Sequence, residues 1–208
     1  MKIAELARQV HENAVAHGWW EENREFPEIN ALIHSEWSEA LEEARAGRPL
    51  VWYKPDIVKA FWRNNCKSYI TDGHVCHTNG TCPEHLKPEG IAVELIDGCI
   101  RILDYLSEVN AEINDSDHEE STIEGLYSES NVAKVPDELP VLVAFLHQYT
   151  ALALLKFDDM IFADTFKLLG AMAAALSWVK KQGLDPLAIL LEKHEYNKTR
   201  AYKHGKKF

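Results

Sequence analysis

Four carboxylates occur as two pairs with the same spacing, and their chemistry is the most specific feature of this sequence. Glu36 and Glu39 stand three positions apart, and so do Glu94 and Asp97. On a helix this spacing places both carboxylates of a pair on one side. Two helices that bring the pairs together would create a hard-oxygen site for Mg²⁺ or Mn²⁺. Full solvation of the carboxylates is the alternative.

Two helices are predicted to position these pairs. Residues 30–47 are rich in helix-favouring types, and Gly47 followed by Pro49 indicates a stop. Residues 87–106 form a longer and more apolar helix, with Pro88 expected in its first turn. Burying a lone charge is costly, so carboxylates among the apolar residues of the second helix are rarely there only to be solvated. The patterns therefore predict two buried stripes that carry acidic side chains at their edges.

A polar strip is predicted on the last helix, over residues 187–202. Lys193, Asn197 and Arg200 fall at i, i+4 and i+7, hence on one face. An arginine can bind two phosphate oxygens, a lysine supplies a point charge and an asparagine can donate its amide. The strip suits a polyphosphate, although basic residues are also favoured near any helix C-terminus.

Three segments in this order resemble the MazG-like all-α nucleoside triphosphate pyrophosphohydrolases. The matching phrases are HSEWSEALEEAR, KPEGIAVELIDGCIRILDY and the C-terminal KHEYNKTRAYKHGKK. The resemblance covers roughly residues 10–47, 87–110 and 139–207. It implies an all-α helical bundle of that type, a homodimer or homotetramer, and hydrolysis of a nucleoside triphosphate between its α and β phosphates.

The resemblance implies a metal-binding role for both acidic pairs. Glu36, Glu39, Glu94 and Asp97 would hold one or two Mg²⁺ or Mn²⁺ ions. Glu39 is the preferred acceptor of the proton from the attacking water. Glu43, one turn further along, is interpreted as an additional or outer ligand.

The resemblance also implies a substrate-binding role for residues at the two ends of the chain. Lys193, Asn197 and Arg200 would hold the pyrophosphate that leaves. Trp19 and Trp20 lie in the segment that borders the nucleotide pocket in that family, where an indole would stack on the base. Without the resemblance, paired aromatic residues are more typical of core or lid packing.

Residues 48–86 depart from the compact members of that family, because 54 residues separate Glu39 from Glu94. This irregular insertion contains candidate zinc ligands, namely Cys66, Cys76, Cys82 and His85. A structural Zn²⁺ is one interpretation, since a small insertion without a core needs a staple. An ordered loop with reduced thiols is the other, since the cysteine spacing matches no zinc finger.

The whole chain is predicted to be one domain of 208 residues, with 110–137 as a polar linker or long loop. A net charge of −11 argues against binding to duplex nucleic acid or to an anionic membrane. No apolar run approaches the ~20 residues that span a bilayer. Four irregularly spaced cysteines and a charged start predict a cytoplasmic protein.

Two strongly apolar helices are predicted over residues 139–157 and 164–181, and their surplus of apolar side chains favours a subunit interface. A different class of function stays open beside the enzyme. It is a non-catalytic helical module that binds a nucleotide or a protein partner and carries a zinc-stabilised insertion.

Overall fold

Helices account for most of the residues that the structure describes, which confirms the all-α class. The computed structural model describes residues 1–55, 86–109, 122–157 and 160–202. Two of its eight helices are single turns, α4 and α5. In chain order the helices are α1 Ile3–Ala16, α2 Phe26–Arg45, α3 Ile91–Glu108, α4 Ile123–Leu126, α5 Glu129–Val132, α6 Leu139–Ala153, α7 Thr165–Lys181 and α8 Pro186–Lys198.

Two short antiparallel ribbons flank the helices. Strand β1, Trp52–Pro55, pairs with β2, Leu86–Glu89, and strand β3, Leu154–Phe157, pairs with β4, Met160–Ala163. The β1–β2 ribbon joins the two ends of the predicted insertion. Strand β2 therefore leads directly into α3.

Helix α3 is the central element of the core. It packs against α1, α2, α7 and α8, and its apolar side chains are almost all buried. Its start depends on Gly90, which has a φ of 113° and whose added Cβ would lie 2.8 Å from the Leu50 and Pro49 carbonyl oxygens. Ala92 N–H donates to the Leu50 carbonyl oxygen at 2.9 Å. Glu94 thus lies in the first turn of a fixed helix, where a negative charge is favoured.

The contact between α2 and α3 depends on a tryptophan that packs over a glycine. Trp37 is fully buried, and its Nε1 donates to Thr150 Oγ1 at 2.9 Å. A Cβ added at Gly98 would overlap the six-membered ring of Trp37. The missing side chain at position 98 therefore allows α2 to approach α3 closely, and this closeness brings the acidic pairs together.

Three predicted helix boundaries are wrong. Pro88 lies in β2 opposite Tyr53 and not in the first turn of α3. The apolar helix predicted to end at residue 157 ends at Ala153, because the chain continues as β3. The last helix ends at Lys198, so Arg200 lies just beyond it. Its start is as expected, since Asp185 accepts from the N–H groups of Leu187 and Ala188.

The two predicted irregular segments are described only in part. The candidate zinc ligands Cys66, Cys76, Cys82 and His85 all lie outside the described residues. The predicted linker, 110–137, is described from residue 122 onward, where it contains the one-turn helices α4 and α5. Ile123 is buried in the core, so this part of the segment packs on the bundle. No helix in the described ranges has the length and apolar character needed to cross a membrane.

Replacing Gly98 by alanine is expected to destabilise the protein by about 1–3 kcal/mol, since the methyl group would overpack the buried Trp37 ring. Chemical denaturation followed by circular dichroism measures the change. Gly170→Ala is the matched control, because Gly170 also lies within a helix. A Cβ added there would lie 3.2 Å from the Tyr149 ring, on a side chain that can move. The control should gain up to about 1 kcal/mol from helix propensity. Equal effects of the two substitutions would contradict the packing argument.

Candidate metal and nucleotide site

Carboxylates from the two acidic pairs meet between α2 and α3. Glu36, Glu39 and Glu94 each present one carboxylate oxygen, and these oxygens all lie within 4.8 Å of one another. We call these three residues the carboxylate cluster. Glu36 and Glu94 are buried, whereas Glu39 is exposed. The cluster is thus reached from the solvent through Glu39.

Two cations neutralise part of the negative charge. Arg101 Nε donates to Glu36 Oε1 at 2.5 Å. Lys193 Nζ lies 2.8 Å from Asp97 Oδ2 and also donates to the Pro88 carbonyl oxygen at 3.1 Å. Asp97, the fourth predicted ligand, is consequently held by a buried lysine and stands outside the group of three.

The electrostatics of the cluster indicate a shortage of positive charge. Burial, together with the nearby carboxylates of Asp97 and Glu36, raises the pKa of Glu94 to about 9, although Lys193 acts in the opposite direction. Burial is also the main cause of the raised pKa of Glu36, with Asp97 and Glu39 contributing and Arg101 opposing. A cation bound between these oxygens would favour their charged forms.

The cluster fits a hard divalent cation. Carboxylate oxygens are the ligands that Mg²⁺ and Mn²⁺ prefer, whereas Zn²⁺ sites are usually completed by nitrogen or sulfur. Mg²⁺ commonly takes one or two carboxylates and keeps several waters. Glu39, the exposed member, leaves one side of the cluster open to solvent.

The carboxylate cluster lies in a cleft of about 190 Å³ between α1, α2, α3 and the end of α8. Basic side chains share this cleft with the acidic ones. We call three of them the cleft arginines, Arg24, Arg101 and Arg200. A cleft that holds both a cation site and guanidinium groups can bind a phosphate chain, because each guanidinium can donate two parallel hydrogen bonds to phosphate.

Of the two predicted stacking residues, Trp19 lines the cleft and Trp20 does not. The Arg24 guanidinium lies 5.6 Å from the centre of the Trp19 ring. Trp20 Nε1 instead donates to Asp104 Oδ1 at 2.9 Å, and its ring meets the edge of His11 at 5.3 Å. Trp20 therefore acts in packing, which is the alternative that the sequence had left open.

The predicted polar strip divides into two parts. Asn197 and Arg200 line the cleft, whereas Lys193 is only 1% exposed and lies beneath it, bonded to Asp97. A phosphate in the cleft would not meet this lysine directly. Glu43 accepts from Trp52 Nε1 at 2.7 Å and is not part of the carboxylate cluster, so of its two predicted roles the outer one stays a prediction.

Several cleft residues were not predicted from the sequence, among them Arg24, Arg101, Asp104 and His194. Three of them have a signal in the sequence, and one of these is Asp104, which follows Asp97 by seven positions. Arg101 follows Asp97 by four positions, and His194 precedes Asn197 by three, so each shares a helix face with a predicted residue. Arg24 precedes α2 and has no periodicity that would have revealed it.

No protein-family model, curated protein or solved structure matches this chain. The chemistry of the cleft is therefore inferred from its own side chains. These comprise a buried cluster of carboxylates that is open on one side, guanidinium groups around it and an indole in the wall.

Glu94→Gln is expected to stabilise the metal-free protein at high pH. A carboxyl whose pKa is raised on folding contributes stability below its unfolded pKa, and this stability is lost as the pH rises through the folded value, here from about 4.5 to about 9. The amide cannot ionise, so at pH 9 it should be more stable than the wild type by at least about 1.4 kcal/mol, the equivalent of one pKa unit.

The measurement is the free energy of unfolding in EDTA between pH 5 and pH 9. Glu42→Gln is the control, because Glu42 is an exposed carboxylate of α2 that pairs with Arg45. A wild type and a Glu94→Gln variant with parallel pH profiles would show that Glu94 is ionised throughout.

Asp97→Asn is expected to destabilise the protein by about 3–5 kcal/mol, because it leaves the ammonium of Lys193 buried without its partner. Combining it with Lys193→Met should recover much of this loss, and a double-mutant cycle measures the coupling free energy. The exposed pair Glu195–Lys198 on α8 is the control, with a coupling of about 0–1 kcal/mol. A coupling no larger than the control would mean that Lys193 is not bound to Asp97 in solution.

Proposed function

We propose that this protein is a Mg²⁺-dependent nucleoside triphosphate pyrophosphohydrolase, which cleaves between the α and β phosphates to give a nucleoside monophosphate and pyrophosphate. One observation carries the proposal. The carboxylate cluster, with its oxygens within 4.8 Å of one another, lies in the same cleft as the cleft arginines. The resemblance of the three sequence segments to the MazG-like enzymes supports the same reaction.

The cluster residues would hold the ion and the attacking water. A bound Mg²⁺ supplies charge neutralisation on the phosphate oxygens and lowers the pKa of a coordinated water. Glu36 is oriented by Arg101, and Glu94 is fixed in the first turn of α3. Glu39, the exposed member, is positioned to accept the proton of the water that attacks phosphorus. Because these carboxylates are coupled, ligand and base functions are shared among them.

The basic side chains would bind the part of the substrate that gains charge. When the bridging P–O bond breaks, negative charge develops on the leaving pyrophosphate, and guanidinium groups stabilise it. Arg200 and Arg101, which both line the cleft, would provide this stabilisation. Lys193 would not contact the substrate. It holds Asp97 in place and is therefore a positioning residue.

Trp19 and Asn197 are the remaining predicted substrate contacts in the cleft. The indole of Trp19 is half-buried and carries the Arg24 guanidinium near its ring. Stacking on a nucleobase is a use of such a ring that tolerates any base. The indole in the wall of the cleft therefore suits a nucleotide better than an inorganic polyphosphate.

We propose further that the protein is a homodimer or homotetramer that associates through α6. Its exposed apolar side chains follow one another at steps of three and four residues. They are Val141, Phe145, Tyr149 and Leu152, which are between 37% and 51% exposed. A continuous apolar stripe of this kind is characteristic of an interaction surface.

Phe145→Asp should convert the assembly into folded monomers, because it places a charge in the middle of this stripe. Sedimentation equilibrium measures the mass, and circular dichroism checks the fold. Gln182→Asp is the control, because Gln182 is an exposed glutamine at the end of α7 and lies outside this stripe. A wild type that sediments as a monomer would contradict the proposed association.

The proposed reaction is tested by pyrophosphate release from a panel of ribo- and deoxyribonucleoside triphosphates, with and without Mg²⁺. Glu39→Gln should lower kcat by about 10²–10⁴-fold, the usual contribution of a general base, with little change in stability because Glu39 is exposed. Glu42→Gln is the matched control on the same helix. Nucleotide binding without release of pyrophosphate would support the non-catalytic binding module, and release of orthophosphate would indicate another reaction.

A further inference from the structure

Two buried polar atoms in the cleft have no hydrogen-bond partner within the part of the chain that the structure describes. They are Nε2 of His194 and Oδ1 of Asn197. The side chains of these residues are only 1% and 9% exposed, yet both belong to the wall of the cleft. They lie three positions apart on α8 and so share one face of the helix.

Unpaired buried polar atoms are rare because the cost of removing them from water is not repaid. Two such atoms on one face of α8, both from residues that line the cleft, point to a hydrogen-bonding partner that the described residues do not supply. The carboxylate cluster does not provide the partner, since neither atom is bonded to it and His194 is not a member of it. The missing partner therefore has to come from outside the described chain.

The chemistry of the two atoms restricts what the partner can be. The oxygen of an amide can only accept a hydrogen bond, and phosphate oxygens that are ionised can also only accept. A phosphate chain would thus leave Asn197 Oδ1 unsatisfied. A hydroxyl or N–H group can donate to it, and the same hydroxyl can in addition accept from an imidazole.

His194 is suited to such a mixed partner. Burial, assisted by the nearby charge of Lys198, lowers its pKa, so the imidazole is neutral at neutral pH. In that state Nε2 either donates or accepts, depending on the tautomer. A cationic imidazole, by contrast, would have favoured a phosphate oxygen.

We propose that His194 and Asn197 form the nucleoside subsite of the cleft, where they bind a hydrogen-bond-donating group of the sugar or the base. The proposal rests on the proposed function for the nucleotide as ligand. It revises the expected role of Asn197, which was to donate its amide to phosphate. The phosphate chain is left to the cleft arginines and to the ion at the carboxylate cluster.

The test is isothermal titration with Ca²⁺ in place of Mg²⁺, so that binding is measured without turnover. The probes are a ribonucleoside triphosphate, its 2′-deoxy and 2′,3′-dideoxy counterparts, a second base, and inorganic tripolyphosphate. The variants are Asn197→Leu and His194→Phe, with Glu195→Gln as the control on the exposed side of α8.

We expect both variants to weaken nucleotide binding by about 10- to 100-fold, and to leave tripolyphosphate binding within about twofold of the wild type. Their thermal stability without ligand should be equal to or above that of the wild type, because an unpaired buried atom has been removed. If a variant does not fold, Asn197→Ala or His194→Ala replaces it, since each also removes the unpaired polar atom but with a smaller side chain.

The nucleotide series identifies the group that is bound. If removing a sugar hydroxyl from the nucleotide lowers the affinity of the wild type but not that of the variants, the subsite binds the sugar. If changing the base lowers the affinity of the wild type but not that of the variants, the subsite binds the base. Either result supports the proposal.

Three results would overturn it. Variants that lose affinity for tripolyphosphate and nucleotide equally would place these residues at the phosphate chain, and variants that bind every probe like the wild type would leave them no role. Both results leave the proposed function standing, since the wild type still binds nucleotides. A wild type that binds none of the probes would remove the proposed function together with the subsite.

Discussion

The structure depends on a balance of buried charge at the centre of the bundle. Four carboxylates, Glu36, Glu39, Glu94 and Asp97, face two cations that are bonded to them, Arg101 and Lys193. Arg101 is paired with Glu36 and Lys193 with Asp97, so neither of these two cations is bonded to Glu39 or Glu94. Burial is the main cause of the raised pKa of Glu94, and the nearby carboxylates of Asp97 and Glu36 add to it. A divalent ion carries the charge that would complete the balance, and for this reason the metal, rather than any single residue, is the centre of the proposed chemistry.

The rest of the fold keeps these charges close together against their repulsion. Helix α3 is buried on most of its surface, and the tight contact of Trp37 over Gly98 fixes its distance from α2. Burying this much apolar surface contributes roughly 25 cal/mol per Å². This term offsets the cost of holding ionisable groups in the interior. The proposed function therefore requires an arrangement of charges that lowers the stability of the metal-free protein.

Much of the helical framework could be predicted from periodicity. Spacing placed each acidic pair on one helix side, and three of the four carboxylates, Glu36, Glu39 and Glu94, meet in the structure. Spacing specifies the side of a helix but not its depth in the protein. Lys193 shares its face with Asn197, yet it lies beneath the cleft because Asp97 on α3 attracts it. The partner of Pro88 in β2 is Tyr53, and a ribbon between residues so distant in sequence has no local signal. His194 was missed because an unpaired buried atom becomes apparent only in three dimensions.

Diffraction from crystals of the full chain soaked in Mn²⁺, with data collected at the manganese absorption edge, tests the central claim most directly. We expect an anomalous peak among the oxygens of Glu36, Glu39 and Glu94, at about 2.0–2.3 Å from those that bind the ion. Manganese bound elsewhere, with these three carboxylates unchanged and still close together, would contradict it.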